Sequence, residues 1–98
     1  MRITAEDFKA YGANVLKSFE EYAAKQPGFY PVANNYEGVR VSFRDEKVTG
    51  WMLLRMSLHD PLMPLNIETD TKGGVKVILE CLMLFLGKQK QLDITSLI

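Results

Sequence analysis

The strongest constraint on the fold is a strand pattern in the middle of the chain. Residues 39–44, VRVSFR, alternate apolar and polar side chains, and this period of two is typical of a β-strand with one wet face. The stretch DEKVTG then predicts an exposed turn, and residues 51–56 predict a second strand that is apolar on both faces. Leu65 and Ile67 indicate a third strand, irregular or at a sheet edge where it starts because Pro64 lacks an N–H donor. Short connections favour an antiparallel meander.

A helix is predicted before these strands. Apolar side chains recur with a period of 3.6 over residues 8–23, which gives one buried stripe. Thr4 and Asp7 occupy the two ends of a capping box in which aspartate replaces the usual glutamate. We therefore expect the helix to start at Ala5 and to end before Pro27.

A second helix is predicted after the strands, while residues 28–35 are predicted to be a loop. The second helix should cover residues 74–86, with Asp70 or Thr71 as its cap. Residues 75–86 are apolar on nearly all sides, so this helix should be buried on more than one side. Its outer side would contact another domain or subunit, or would be covered by the first helix.

The order helix, strand, strand, strand, helix predicts an α+β fold. Both helices should pack on one face of an antiparallel sheet of about three or four strands. A chain of 98 residues fits one domain, with an N-terminal helix and loop at residues 1–35 and a C-terminal tail at residues 89–98.

Composition narrows the function classes. Twelve basic and twelve acidic residues cancel, so neither a nucleic acid nor a membrane surface is an expected partner. Cys81 is the lone cysteine and His59 the lone histidine, so we expect no metal site and interpret Cys81 as a buried helix thiol. The beginning of the sequence lacks the apolar segment of a secretory signal, and we expect a cytoplasmic, or else a plastid, location.

The heptapeptide RMSLHDP, residues 55–61, carries the densest polar chemistry. Arg55 and Ser57 have the same parity at the end of a strand, so both side chains should point to one side. A guanidinium fork, a hydroxyl and free backbone N–H groups in a turn suit a phosphate group. His59 would serve as an auxiliary donor, and the backbone N–H of Leu58 as a further one.

Two other interpretations of the same residues stay open at this point. Arg55 could form a surface ion pair with Asp60 while Ser57 satisfies nearby backbone. Ser57, His59 and Asp60 are also the residue types of a hydrolase triad, but triad members usually come from separate segments, and adjacent His59 and Asp60 tend to diverge.

The order of motifs over residues 36–86 resembles the C-terminal domain of the α-D-phosphohexomutases, the phosphoglucomutase and phosphomannomutase family. That family has a DGVRV-like strand, a tryptophan-led strand, and a loop of the form R-x-S-(G/N)-T-E-P. The matching positions here are Gly38, Val39, Arg40, Val41, Trp51, Arg55, Ser57 and Pro61. The chain departs from the pattern at three positions, with Leu58 in place of Gly or Asn, His59 in place of Thr, and Asp60 in place of Glu or Gln.

The resemblance implies a TATA-binding-protein-like domain, the last of four, that binds the phosphate of a hexose phosphate. Arg55 and Ser57 would bind this phosphate, with help from His59. The parent enzyme would interconvert hexose 1-phosphate and hexose 6-phosphate through a phosphoserine and a bisphosphate intermediate, with Mg²⁺ held by another domain. Neither the phosphoserine loop nor the metal loop occurs in this sequence, so the chain alone should be catalytically inactive. The alternative is a free-standing α+β interaction module with no phosphosugar role.

Overall fold

The computed structural model describes residues 1–32, 38–57 and 59–97. The fold is α+β, with two α-helices and a four-stranded antiparallel sheet. Its elements in chain order are β1 (Arg2–Ile3), α1 (Phe8–Lys25), β2 (Phe29–Pro31), β3 (Gly38–Arg44), β4 (Thr49–Arg55), β5 (Leu65–Thr69), α2 (Gly74–Leu86), β6 (Leu92–Asp93) and a short 3-10 helix (Thr95–Leu97). No helix within the described ranges is long and apolar enough to cross a membrane.

The main sheet has the order β2-β3-β4-β5. The predicted antiparallel meander of three strands is confirmed as β3, β4 and β5, and β5 lies at an edge as Pro64 suggested. The prediction of a loop over residues 28–35 is wrong in part, because residues 29–31 form strand β2, in which Phe29 pairs with Phe43 of β3. A strand of three residues is too short for its period to show in the sequence, and Pro31 is tolerated there because β2 is an edge strand. Residues 33–37, the rest of that prediction, lie outside the described residues.

One apolar core lies between the sheet and both helices. Val41 of β3 and its neighbour Met52 of β4 are 0% exposed and point to the helices. Phe19 of α1 and Ile78 of α2 belong to the same buried cluster. Because both helices contribute to this single core, both pack on the same face of the sheet, as the order of the elements predicted.

The start of α1 differs from the prediction. The helix begins at Phe8 rather than Ala5, and Asp7 is its N-cap, with a carboxylate that accepts a hydrogen bond from the Ala10 N–H at 3.2 Å. Thr4 is not the cap: the N–H that a carboxylate at position 7 would accept in a capping box donates instead to the Gln91 carbonyl at 2.8 Å. The predicted end before Pro27 is confirmed, since α1 ends at Lys25.

The bounds of α2 are confirmed, but its predicted cap is wrong. The N-cap is Gly73, which has a φ of 76° and makes no side-chain capping bond. This left-handed conformation costs glycine little. Asp70 is engaged elsewhere, since its carboxylate accepts hydrogen bonds from the hydroxyls of Thr49 at 2.8 Å and Thr71 at 3.2 Å. These two bonds lower the pKa of the Asp70 carboxyl from its ordinary value of 3.8.

The first helix covers part of the apolar surface of α2. The Phe85 ring lies 5.5 Å from the Phe19 ring and 5.2 Å from the Tyr22 ring, measured between centroids. The Tyr22 hydroxyl also donates to the Cys81 carbonyl at 3.2 Å. Cys81 is half-buried in this contact, and burial raises the pKa of its thiol. Leu84 is 67% exposed, so α1 does not cover α2 completely.

Two segments predicted to be irregular or exposed are part of the packed fold. In the turn after β3, Val48 is only 4% exposed, because the Asp45 carboxylate accepts from its N–H at 2.7 Å and folds the turn inwards. In the predicted tail, Leu92 is 6% exposed and lies in β6, which pairs with β1. Pairing between residues 89 and 91 positions apart has no local sequence signal.

Candidate functional site

The heptapeptide at residues 55–61 continues the hairpin formed by β4 and β5. The Arg55 N–H donates to the Pro64 carbonyl at 3.2 Å, and the Ser57 N–H donates to the Leu62 carbonyl at 2.9 Å. Both bonds keep the register of the β4–β5 ladder. The backbone of Arg55 and Ser57 is therefore held as in a strand, and His59, Asp60 and Pro61 lie in the tip that follows.

The returning side of the tip is fixed by a proline. The Leu62 N–H donates to the Asp60 carbonyl at 2.7 Å across Pro61, which is the hydrogen bond of a three-residue turn. Proline suits the centre of such a turn because its ring holds φ near −65°. His59 and Asp60 are exposed in this tip. Leu58 lies outside the described residues, so the predicted contribution of its backbone N–H stays a prediction.

The ladder separates the side chains of the hairpin end into two faces. Met63 is 0% exposed, and Met56 packs against Gly12 of α1, so both methionines face the core. Arg55 and Ser57 flank Met56 in an extended chain and therefore share the opposite, outer face of the sheet. Both are half-buried. Arg55 and Ser57 therefore point to the same side of the sheet, as the alternation of side chains along a strand predicted.

Gly38 allows the close approach of β3 to the start of this site. It pairs with Arg55, and a Cβ atom at position 38 would overlap the Leu54 carbonyl oxygen and lie 2.8 Å from the Arg55 Cα. A side chain there would push the two strands apart beside Arg55. Gly38 was part of the sequence resemblance, but its steric role was not foreseen. The sequence feature that could have indicated this role is a glycine at the first position of a strand whose other residues are all larger.

Within the paired residues of β3, β4 and β5, the outer face of the sheet carries three arginines and one acidic side chain. Arg40, Arg44 and Arg55 have the parity of this face, and so does Glu68. The Arg40 guanidinium carbon lies 4.1 Å from the centroid of the Trp51 ring, a distance typical of a cation–π contact. Trp51 is further from the hairpin end than Arg40 is, so this contact turns the Arg40 charge away from the loop.

The hydrolase interpretation of the heptapeptide is not supported by contacts. None of the side-chain hydrogen bonds found among the described residues joins Ser57, His59 and Asp60. Within the same ranges, no group of three or more His, Cys, Asp or Glu side chains could hold a metal ion.

Two open depressions lie at the far end of the sheet. One of about 660 Å³ is lined by residues that include Trp51 and Asp70, and one of about 400 Å³ by residues that include Tyr30. Both touch Thr49, at the opposite end of β4 from Arg55. A seven-residue strand spans about 20 Å at roughly 3.3 Å per residue. These depressions are therefore separate from the hairpin end.

Comparison of the chain with protein-family models, with curated proteins and with solved structures gives no match. The resemblance over residues 36–86 therefore rests on its ordered motifs alone.

Proposed function

We propose that this chain is a substrate-phosphate-binding domain of a phosphohexomutase-like enzyme, with a TATA-binding-protein-like fold. The hairpin end would bind the phosphate of a hexose phosphate, while the phosphoserine and the Mg²⁺ would belong to other domains of the parent protein. The observation that carries the proposal is the continued β4–β5 ladder, which gives Arg55 and Ser57 the same face at the mouth of a tight turn.

The backbone of Arg55 is held in place by neighbouring segments on both sides, which suits a phosphate ligand. Its N–H bonds to Pro64 on one side, and Gly38 pairs with it on the other. A guanidinium on a rigid base loses less freedom when it forms two parallel bonds to phosphate oxygens. Arg55 is therefore the principal phosphate ligand in the proposal.

Ser57 and His59 would complete the site. Residues two apart on a strand are separated by about 6.6 Å, so the long Arg55 side chain and the short Ser57 side chain can meet on one phosphate. The exposed His59 imidazole would add a third donor from the tip. Two or three such bonds, each contributing about 1.5–3 kcal/mol, correspond to roughly millimolar affinity after desolvation. A site of this strength fits one half of a larger substrate site.

The test is a titration of the ¹⁵N-labelled chain with glucose 1,6-bisphosphate, followed by amide chemical shifts. We expect saturable shifts at Arg55, Ser57 and His59, loss of binding in Arg55→Ala, and about three- to tenfold weaker binding in Ser57→Ala. Arg44→Ala is the matched control, since it removes an arginine of the same face at the far end of the sheet. Equal weakening by Arg44→Ala would indicate a non-specific charge effect, and no shifts at high millimolar ligand would refute the phosphate site.

An interaction module that assembles through α2 is the second candidate, and its support is weaker. Val75 and Leu84 are exposed by 45% and 67%. However, they are nine residues apart, so at about 100° per residue they lie on opposite sides of the helix. Contact of α2 with other domains of the parent chain stays a proposal.

A further inference from the structure

The short strand β1 lies against the returning arm of the hairpin end. The Ile3 N–H donates to the Pro61 carbonyl at 2.7 Å, and the Met63 N–H donates to the Met1 carbonyl at 2.8 Å. Arg2, between them, forms a bridge with Leu62. Every residue of the arm from 61 to 63 is thus paired with residues 1–3.

The other edge of β1 pairs with the C-terminal segment. Arg2 lies opposite Asp93 and Ile3 opposite Leu92, and the Thr4 N–H donates to the Gln91 carbonyl at 2.8 Å. The Ile3 side chain is 2% exposed and belongs to the core. Strand β1 is therefore anchored by its side chain and by both of its edges.

The returning arm depends on this support because it is poor in donors. Pro61 and Pro64 lack N–H groups, and the Leu62 N–H is used within the tip by the Asp60 carbonyl. The bond from Ser57 to Leu62 is then the link through which the arm fixes Ser57. Movement of residues 61–63 would move Ser57 relative to Arg55.

We infer that Arg2–Ile3 is a positioning element for the hairpin end: the Ile3 N–H holds the Pro61 arm and, through Leu62, sets where Ser57 lies. The phosphate-affinity part of this inference rests on the proposed function. The structural part does not, because it concerns the hydrogen bonding of the loop without ligand.

Matched substitutions can separate the two edges of β1. Ile3→Pro removes the donor to Pro61, and Ile3→Ala removes the same packing while the N–H stays. Thr4→Pro removes the donor to Gln91 on the tail side, at an exposed position. The readouts are hydrogen exchange of the Ser57 amide without ligand, the unfolding midpoint, and the affinity for glucose 1,6-bisphosphate.

We expect Ser57 exchange to be about three- to tenfold faster in Ile3→Pro than in Ile3→Ala, the range given by loss of one backbone hydrogen bond. Thr4→Pro should change this rate by less than about twofold. The affinity for the bisphosphate should fall in Ile3→Pro by a factor similar to that of the exchange. Equal Ser57 exchange in Ile3→Pro and Ile3→Ala would overturn the inference.

Native-state exchange of the unsubstituted chain gives a second test, which holds even if Ile3→Pro does not fold. The amides of Ile3, Ser57 and Met63 should show protection factors that agree within about threefold, since they open as one unit. A Ser57 amide protected more than about tenfold above Ile3 would overturn the positioning role. Absence of bisphosphate binding by the unsubstituted chain would refute the proposed function alone, because neither exchange test uses ligand.

Discussion

Gly38→Ala tests whether the strand contact beside Arg55 organises the site. The added Cβ would overlap the Leu54 carbonyl oxygen and lie 2.8 Å from both the Arg55 Cα and its Cβ. These are backbone and near-backbone atoms, so relief requires movement of β3 or β4. Overpacking of this kind costs about 1–3 kcal/mol. For a domain of this size each kcal/mol corresponds to about 4–8 °C, so the unfolding midpoint should fall by roughly 5–20 °C.

Gly50→Ala is the matched control for this substitution. A Cβ at Gly50 would overlap the Glu68 carbonyl oxygen, but Gly50 lies five residues from Arg55 along β4, about 17 Å away. Thermal unfolding followed by circular dichroism should show similar losses for both variants. Only Gly38→Ala should also weaken bisphosphate binding and shift the Arg55 amide signal. Equal affinities in the two variants, or an unchanged midpoint in Gly38→Ala, would refute the reasoning.

Three further measurements test other parts of the fold. Phe85→Ala should destabilise the chain by about 3–5 kcal/mol because Phe85 is 6% exposed, whereas Leu84→Ala, at 67% exposure, should change stability by less than about 0.5 kcal/mol in urea unfolding. Hydrogen bonds from the Thr95 N–H and hydroxyl lower the pKa of the Asp93 carboxyl below its ordinary value of 3.8. The carboxylate therefore contributes its full stabilisation of the fold above that value, and this stabilisation is lost as the pH falls through the lower, folded-state pKa. Asp93→Asn should reduce the loss of stability between about pH 6 and pH 2, measured by urea unfolding. Because burial raises the pKa of the Cys81 thiol, alkylation at neutral pH should be slower in the folded chain than in urea, and equal rates would contradict its placement.

The predictions of local structure are confirmed where a pattern extends over several residues. The bounds of α2 were predicted correctly because an apolar run between a diglycine and Gly87 has clear limits. The outer-face parity of Arg55 and Ser57 could also be predicted, because a strand alternates whatever it packs against. The start of α1 could not be predicted, because the Thr4 N–H of the expected capping box bonds to Gln91. The start of β2 could not be predicted either, because three residues are too few to show a period.

The candidate site shows the same division. Its residue types and its loop could be identified from RMSLHDP, because the guanidinium, hydroxyl and imidazole groups follow directly from the identity of each residue. The approach of Gly38 to Arg55 and the pairing of Ile3 with Pro61 could not. These contacts join residues 17 and 58 positions apart, and only the folded chain brings them together.

Short-range periods and side-chain chemistry were sufficient to predict the fold class, the order of the two helices and of β3, β4 and β5, and the shared face of Arg55 and Ser57. Only the folded chain shows that the hairpin ladder extends past Arg55, that β2 and β6 are strands, and that β1 joins the loop arm to the C-terminal segment. Short edge strands pair with whichever backbone N–H and C=O groups still lack partners once the core has formed. The sequence of a two- or three-residue segment does not indicate which groups these are.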